Sequence, residues 1–276
     1  MPFAGIDIGS TMTKVVIVDD QGQNLTSVIG PTGAEHRHQA LLVMDEAVKK
    51  CGLSFSALDF IVATGYGRIN VPFADKQMTE ITCHARGVWS IFPATHTIID
   101  IGGQDSKGIQ LDAEGKVANF VMNDKCAAGT GRFLEVIAET LGIKLTEMGD
   151  LSQKAKTYVK ISNICTVFAE HEVTSRLAEG ATIPEIVAGL HMAIAGRVVN
   201  MTRHLGLKKD VVVTGGGAKN SGLIKAIEDK VGFPVEVPPE PFITGALGAA
   251  LIGRDFAGRG IVRSRERKME EVTFFA

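Results

Sequence analysis

The sequence predicts an α/β protein built from two copies of one structural unit, and two observations carry this prediction. Two segments share a layout: FAGIDIGSTMTKVVIVDDQGQNLTSVIG, starting at Phe3, and HTIIDIGGQDSKGIQLDAEGKVANFVM, starting at His96. In each, an apolar run ends in Asp-Ile-Gly, a polar turn carrying Lys follows, and two further strand-like runs flank an acidic-Gly turn. Helical patterns then follow each segment. An internal duplication of about ninety residues explains both observations.

Both segments predict β-hairpin-β meanders and not the strand-to-helix unit of a dinucleotide-binding fold. The turns Asp19-Asp20-Gln21-Gly22 and Asp112-Ala113-Glu114-Gly115 are good hairpin signals.

The remaining elements follow from periodicity. Helices are expected over residues 38–51, 79–90, 131–141, 166–179, 184–205 and 244–252, and buried strands over residues 60–64 and 210–214. Pro184 suits a first helical turn, where its missing N–H costs nothing. The stretch from Arg259 is charged and non-periodic, which is typical of a mobile or partner-docked extension.

Composition excludes several classes of protein. The chain has 276 residues, of which 45% are hydrophobic and 22% charged, with a net charge of −2. This near-neutral balance disfavours a nucleic-acid partner. No apolar run reaches the roughly 18 residues that a membrane span needs, and the first residues lack a signal-peptide pattern. The four cysteines form no CxxC pair. Because a signal-peptide pattern is lacking, we expect a cytoplasmic protein, and structural disulfides are improbable in that compartment.

The first candidate for phosphate binding follows the first predicted strand. That strand brings Asp7 to its end, and Gly9 allows the backbone to approach a ligand closely. Ser10 and Thr11 offer hydroxyl and amide groups, and Lys14 adds a positive charge. The set suits a polyphosphate with its metal. Taken alone, it fits a tight hairpin with a solvated Lys equally well.

The second segment repeats this arrangement as DIGGQDSK. Gly102 and Gly103 occupy the turn, and Asp105 adds a carboxylate. Two facing turns with carboxylates can hold Mg²⁺ between the β- and γ-phosphates. Because structure alone does not require the repeated Asp, the duplication favours nucleotide binding. We predict Asp7, Asp105 and Gln104 as catalytic residues, with the two carboxylates positioning metal and water. The Walker pattern is absent, which excludes a P-loop protein.

Two further glycine-rich stretches complete the predicted nucleotide site. A Gly-Thr-Gly turn is expected to face the phosphates; its residues are Gly129, Thr130 and Gly131. After the strand at 210–214, glycines without side chains would let the flat base of the nucleotide lie against the backbone. The residues of this stretch are Gly215, Gly216, Gly217 and Ala218. In the stretch TGALGAA, close helix packing is the favoured explanation for Gly248 and Ala249.

Cys126 and Cys165 each precede a helical pattern. A thiolate at a helix N-terminus is stabilised by unpaired N–H groups and the helix dipole, which favours metal or cluster binding. A cubane cluster needs four thiolates, so two per chain would require two chains about a two-fold axis. The residues alone favour two independent buried cysteines. A cluster using all four cysteines of one chain is a further alternative, although Cys51 and Cys83 lie in helical patterns and fit core packing.

The order DIGST, DIGGQD, GGGAKN, TGALGAA resembles the superfamily of actin, sugar kinases and heat-shock chaperones. The resemblance implies two ribonuclease-H-like domains with a nucleotide cleft between them. We place the domains at residues 1–93 and 94–258, the second carrying the cluster ligands and adenosine site, and a charged tail at 259–276. As an alternative, the last helix packs back on the first domain.

The stretches GGQDSK, NDKCAAGTGRFLE and SNICTVFAEHEV resemble, more narrowly, the ATPase activators of 2-hydroxyacyl-CoA dehydratases and the related ATPase subunits of benzoyl-CoA reductase. This resemblance implies an anaerobic homodimer bridged by one [4Fe-4S] cluster, with Cys126 and Cys165 as ligands and with ATP/ADP and Mg²⁺ bound. ATP would drive a low-potential electron from a ferredoxin or flavodoxin to an iron–sulfur dehydratase or reductase.

Two rival functions belong to the same superfamily. A small-molecule kinase would need an acceptor pocket with a catalytic Asp, and an actin-type assembly module would polymerise. Both leave the paired cysteines unexplained. The sequence does not distinguish a dehydratase, an aryl-CoA reductase or a double-cubane protein as the electron acceptor, nor a separable activator from a permanent subunit.

Overall fold

The computed structural model describes residues 1–162 and 165–261, and its internal contacts divide the chain into two units. The first unit comprises Met1–Pro93 together with the stretch that begins at Phe242, and the second comprises Ala94–Pro241. The last predicted helix therefore lies with the first unit, as in the alternative stated above and not as in the boundary at residue 258. Most of the predicted tail, residues 262–276, lies outside the described residues.

Among the described residues, each unit begins with three strands, and helices and further strands follow. In chain order, the strands are β1 (Phe3–Ile8), β2 (Met12–Val18), β3 (Asn24–Pro31), β4 (Phe60–Thr64), β5 (Lys76–Gln77), β6 (Thr97–Ile101), β7 (Ser106–Leu111), β8 (Val117–Asn123) and β9 (Val211–Thr214). The helices are α1 (His36–Lys50), α2 (Glu80–Ile91), α3 (Gly131–Leu141), α4 (Met148–Gln153), α5 (Thr166–Ala178), α6 (Ile183–Arg203), α7 (Ser221–Val231) and α8 (Thr244–Gly258). None of these helices combines the length and apolarity needed to cross a lipid bilayer.

The first unit is a five-stranded sheet in the order β3-β2-β1-β4-β5, with β4 parallel to β1. Helix α1 contributes to one core of this unit, and α8 contributes to another. A Cβ at Gly5 of β1 would overlap the carbonyl of Ala246 and contact the side chain of Ala249, so α8 packs directly on the strand. Gly248 likewise lies against the carbonyl of Cys83 on α2. These contacts are the close packing expected of the small residues, and they hold α8 in the first unit.

The second unit is a four-stranded sheet in the order β8-β7-β6-β9, with β9 parallel to β6. Its large core joins residues of β6 and β9 to residues of α3, α5, α6 and α7. Helix α6 begins at a capping box in which Thr182 accepts from the N–H of Glu185, and Pro184 lies in its first turn as predicted.

The predicted duplication is visible in the strand registers. Asp7 pairs with Lys14 across β1 and β2, and Asp100 pairs with Lys107 across β6 and β7. Both hairpin turns also form in the same way, because an Asp carboxylate accepts backbone N–H groups two and four residues ahead: from Asp19 in the first unit and from Asp112 in the second. Each unit is therefore built on the same meander.

Three of the described strands and α-helices fall outside the predicted set. Helix α4 has six residues and β5 has two, which is too short to establish a period. Helix α7 carries an apolar face on Leu223, Ala226 and Ile227 that periodicity could have identified. Helix α8 runs six residues past its predicted end at residue 252, to Gly258.

Candidate functional site

The predicted phosphate-binding turn of the first unit, residues 9–11 and called here the first phosphate turn, follows a buried carboxylate with one oxygen that has no partner among the described residues. Asp7 is 2% exposed, and its Oδ2 accepts from Lys14 Nζ at 3.0 Å. Its Oδ1 has no hydrogen-bond partner among the described residues. A Cβ at Gly65 would overlap this oxygen, and a Cβ at Gly245 would lie 3.1 Å from the other. Bare backbone thus surrounds a carboxylate that still requires a partner.

The backbone of the same turn is fixed while its hydroxyls remain accessible. Gly9 donates its N–H to the carbonyl of Met12 at 3.1 Å, and its own carbonyl accepts from Thr32 Oγ1 at 2.8 Å. Thr11 is exposed and Ser10 half-buried. The turn therefore holds the predicted ligand groups on a rigid frame, as binding of a polyphosphate requires.

The predicted phosphate-binding turn of the second unit, residues 102–105 and called here the second phosphate turn, is organised by a buried lysine. Lys107 is 1% exposed, and its Nζ lies 2.7 Å from Asp105 and 3.4 Å from Asp100. The Asp105 carboxylate also lies over Gly102, because a Cβ there would be 2.5 Å from Asp105 Oδ1. Gln104 is exposed. The lysine thus fixes one predicted catalytic carboxylate at the turn, while Gln104 projects to solvent.

The two units differ at one oxygen of the equivalent aspartates. Thr214 pairs with Asp100 in the strand register, and its hydroxyl donates to Asp100 Oδ1 at 2.8 Å. Thr64 holds the same position beside Asp7, but its hydroxyl donates to the carbonyl of Met78 at 3.1 Å. One aspartate therefore has a structural partner at Oδ1 where the other has none within the described residues, which distinguishes Asp7 as the candidate for metal or water.

The Gly-Thr-Gly turn supports the second phosphate turn through its own backbone. Gly131 donates its N–H to Gly102 O at 2.8 Å, and Arg132 donates to Gly103 O at 2.8 Å. Thr130 is buried, and its hydroxyl donates to Ala127 O at 2.7 Å. Since these donors are engaged within the protein, the Gly-Thr-Gly turn positions the backbone of the second phosphate turn. A direct contact with nucleotide by these three residues stays a prediction.

The glycines after β9 have a packing role that is repeated in the first unit. Gly215 has φ 80°, and a Cβ there would overlap the carbonyl of Ile101. A Cβ at Gly217 would lie 2.6 Å from the Ile101 side chain. Gly65 and Gly67 make the same contacts with Ile8. The Gly-x-Gly spacing after β4 and β9 could have shown this equivalence in the sequence.

The other two residues of the predicted adenosine site differ in how exposed they are. Gly216 is half-buried and Ala218 is 5% exposed, so Gly216 and Gly215 offer the accessible backbone of the predicted adenosine site.

The two predicted cluster ligands lie in the second unit as half-buried cysteines outside any disulfide. Cys165 is the N-cap of α5, and its side chain makes no capping hydrogen bond. Cys126 differs from the prediction, because α3 begins at Gly131 behind the N-cap Thr130. Its thiol therefore lies in a loop ahead of the helix, and direct stabilisation by a helix N-terminus applies to Cys165 alone. The intervening residues 163–164, ahead of Cys165, lie outside the described ranges.

The other two cysteines are packed into the first unit. Burial raises the pKa of Cys83 to about 12, so its thiol stays protonated and is a poor cluster ligand. The Cys51 thiol donates to the carbonyls of Ala47 and Val48 at the end of α1. Both positions agree with the core packing expected from the sequence.

Comparison with solved structures defines the class of protein. A ROK family glucokinase from Streptomyces griseus, 13% identical, matches 92% of this chain and 100% of its own with a TM-score of 0.57. The activator of 2-hydroxyisocaproyl-CoA dehydratase from Clostridium difficile with bound ADPNP, 44% identical, matches 96% of this chain and all of its own with a TM-score of 0.89. The fold is therefore that of the actin and sugar-kinase superfamily, as predicted.

Within that class, the chain belongs to the BadF/BadG/BcrA/BcrD ATPase family, whose model matches residues 4–253. It is 46% identical over 258 residues to the 2-hydroxyisocaproyl-CoA dehydratase activator of Clostridioides difficile, covering 92% of this chain and 95% of the relative. It is 47% identical to the activator of lactoyl-CoA dehydratase of Anaerotignum propionicum, covering 92% and 97%. A benzoyl-CoA reductase subunit of Thauera aromatica is 33% identical, with 91% and 92% covered. These matches confirm the predicted family and its ATPase character.

Proposed function

We propose that the chain is the ATP-hydrolysing activator of a 2-hydroxyacyl-CoA dehydratase, a homodimer that delivers low-potential electrons through one shared [4Fe-4S] cluster. The observation that carries the proposal is the placement of two half-buried cysteines, neither in a disulfide, in the unit whose phosphate turn is hydrogen-bonded to the Gly-Thr-Gly turn after Cys126. A kinase or an assembly module has no use for these two thiols.

The residues fit a magnesium nucleotide. Asp7 supplies a buried oxygen that lacks a partner among the described residues, and oxygen is the donor that Mg²⁺ prefers. Lys14 holds the Asp7 carboxylate in place. In the second unit, Lys107 holds the Asp105 carboxylate beside the turn. Mg²⁺ neutralises charge on the phosphates when bound, and the protein contributes positioning and electrostatics.

The residues also fit a cluster shared between two copies of the chain. Cys165 makes no capping hydrogen bond at the N-terminus of α5. Cys126 is partly buried and packs against the core of the second unit. Two thiols per chain match a four-thiolate set only with a second copy about a two-fold axis. A [4Fe-4S] group supplies a low-potential one-electron carrier when bound.

The similarity to two dehydratase activators supports a dehydratase as electron acceptor. The electron donor in this proposal is a ferredoxin or flavodoxin. The lower identity to the benzoyl-CoA reductase relative makes an aryl-CoA reductase the second candidate.

The test is cysteine replacement in protein purified without oxygen. Cys126→Ser and Cys165→Ser should each abolish the visible iron–sulfur absorption while binding of ADP and ATP survives. Cys51→Ser, which replaces another half-buried thiol, is the matched control and should retain the absorption. Wild-type protein without iron and sulfide, or a full cluster in either ligand variant, would refute the proposal.

A further inference from the structure

The loop that carries Cys126 is attached to both ends of the second phosphate turn. At its far end, the N–H groups of Gly131 and Arg132 donate to Gly102 O and Gly103 O, each at 2.8 Å. At its near end lies Asn123, the last residue of β8, which pairs with Ser106 in the strand register. Ser106 directly follows the turn residue Asp105. The loop thus begins beside backbone that directly follows the phosphate turn and ends on backbone of the turn itself.

Asn123 also holds the loop through its side chain. Its Nδ2 donates to Cys126 O at 2.9 Å and to Ala128 O at 3.0 Å. The side-chain amide has two N–H donors, so both are engaged with the loop. The carbonyls lie on either side of Ala127, whose own carbonyl accepts from the hydroxyl and the N–H of Thr130 at 2.7 and 3.0 Å. Residues 126–130 therefore form a closed hydrogen-bonded loop.

Packing prevents this loop from deforming independently. Ala128 is fully buried in the core of the second unit. Gly129, at φ 91°, lies against the aliphatic part of Arg197, because a Cβ at Gly129 would be 2.9 Å from Arg197 Cδ. Packed interiors transmit a displacement and do not absorb it. A shift of the phosphate turn therefore moves the loop as one body, as long as the Asn123 side chain keeps the near end of the loop attached to β8.

We propose that Asn123 is a positioning residue that couples the state of the phosphate turn to Cys126. This inference rests on the proposed function for nucleotide binding at the phosphate turn and for the role of the Cys126 thiol as a cluster ligand. Without the two donors of Asn123, Cys126 O and Ala128 O lose these hydrogen bonds, and a movement of the turn is taken up between β8 and Cys126. The nucleotide then no longer changes the environment of the thiol.

The test uses cluster-free, reduced full-length protein and measures the rate at which iodoacetamide alkylates Cys126, followed by peptide mass spectrometry. The rate is compared with saturating Mg-ADP and saturating Mg-ADPNP. In the wild-type chain, the two nucleotides should give Cys126 rates that differ by at least about twofold, the lower end of measured coupling between sites. Asn123→Ala should bring the ratio close to one while both nucleotides still bind.

Asn119→Ala is the matched control, because Asn119 is an exposed Asn on the same strand whose side chain accepts from the N–H of its neighbour Phe120. It should retain the wild-type ratio. Asn123→Asp, which keeps the side-chain shape but removes the donors, should behave like Asn123→Ala and covers the case in which the alanine variant does not fold. Alkylation of Cys51 serves as the internal standard in every sample.

A wild-type ratio in Asn123→Ala and Asn123→Asp, or a ratio of one in the wild-type chain with both nucleotides bound, would overturn the inference. The result is independent of the cluster. A nucleotide-dependent Cys126 rate in a chain that never acquires iron would refute the proposed function and support the coupling. A cluster-bearing chain with an unresponsive Cys126 would do the reverse.

Discussion

Asp7 and Asp100 show how one hydrogen bond separates a candidate functional side chain from a structural one. The two residues share a register position and a paired lysine. Asp100 is satisfied at Oδ1 by Thr214, whereas Asp7 keeps a buried oxygen with no partner in the described part of the chain. Because an unsatisfied buried acceptor costs free energy, its presence in Asp7 is best explained by a ligand.

We predict that Asp7→Asn lowers the rate of ATP hydrolysis by about 10²-fold or more, as expected when an electrostatic positioning group is lost. Its thermal stability should change little by comparison, because the paired Lys14 is partly exposed and can be solvated. Asp100→Asn should instead destabilise the second unit by about 1–3 kcal/mol, because it removes one charged acceptor of the buried Lys107, which keeps Asp105 as its nearer partner. Steady-state hydrolysis and denaturant unfolding of both variants check this; equal loss of activity at equal stability would contradict it.

His191 makes the second unit sensitive to acid. Burial lowers its pKa from 6.5 to about 4. Asn220 Oδ1 accepts from the N–H of Leu223, so its Nδ2 donates to His191 Nε2 at 3.0 Å and fixes the neutral ring. The folded-state pKa lies below the unfolded value, so the unfolded chain binds the proton first. Stability is therefore full above pH 6.5 and falls as the pH drops towards 4.

The expected loss at His191 is about 3 kcal/mol across that interval. In His191→Gln, the pH dependence of the free energy of unfolding between pH 6.5 and 4 should flatten by this amount. His204→Gln, at an exposed position just after α6, provides the comparison. Urea unfolding at several pH values measures both, and parallel curves for wild type and His191→Gln would disprove the prediction.

At the scale of elements, glycines set the distance between helices and strands. Gly87 of α2 lies against the carbonyl of Thr244, and Gly248 of α8 lies against that of Cys83. Neither position has a positive φ. These glycines are required because two backbones approach each other, and an isolated helix pattern in the sequence gives no indication of the partner.

Gly248→Ala should destabilise the first unit by about 2 kcal/mol or more, since an added methyl group in a filled core forces backbone shifts. Gly258→Ala, in the same helix with no atom within 4 Å of the added Cβ, should be neutral or stabilising by up to about 1 kcal/mol. Thermal unfolding of the two variants provides the measurement. Equal effects would show that close packing of α2 on α8 does not limit stability.

The elements that the sequence predicts well are those whose pattern is local. The two meanders and their Asp-Gly turns follow from alternation and turn residues alone. The position of Cys126 ahead of its helix does not, because Thr130 and not Cys126 caps α3. The proposed role of Asn123 depends on a side chain that turns back on its own loop, and no spacing in the sequence reveals this contact. The unsatisfied oxygen of Asp7 likewise depends on Thr64 donating its hydroxyl to another acceptor.

At the scale of the whole molecule, the two units have separate cores, and only the second is continuous in sequence. The face of the first sheet that carries Phe3, Val16 and Phe60 is buried with residues of α8. Each large apolar side chain left uncovered costs about 1.5–3 kcal/mol. The first unit should therefore depend on residues that lie beyond the second.

We predict that a fragment of residues 94–241 folds cooperatively, that residues 1–93 alone do not, and that residues 1–93 joined through a flexible linker to residues 242–261 do. Circular dichroism and denaturant titration of the three fragments provide the measurement. A cooperative transition in residues 1–93 alone would show that α1 suffices to stabilise this sheet.

The placement of α8 has a consequence for the order in which the two units can fold during synthesis. Residues 1–93 leave the ribosome with one sheet face uncovered, and α8 follows only after the whole of Ala94–Pro241 has been synthesised. At about 5–20 residues per second, that interval is on the order of ten seconds. The unit that carries the predicted cluster cysteines can fold within it. The nascent first unit must wait, and it is the part of the chain that a ribosome-bound chaperone would need to shield.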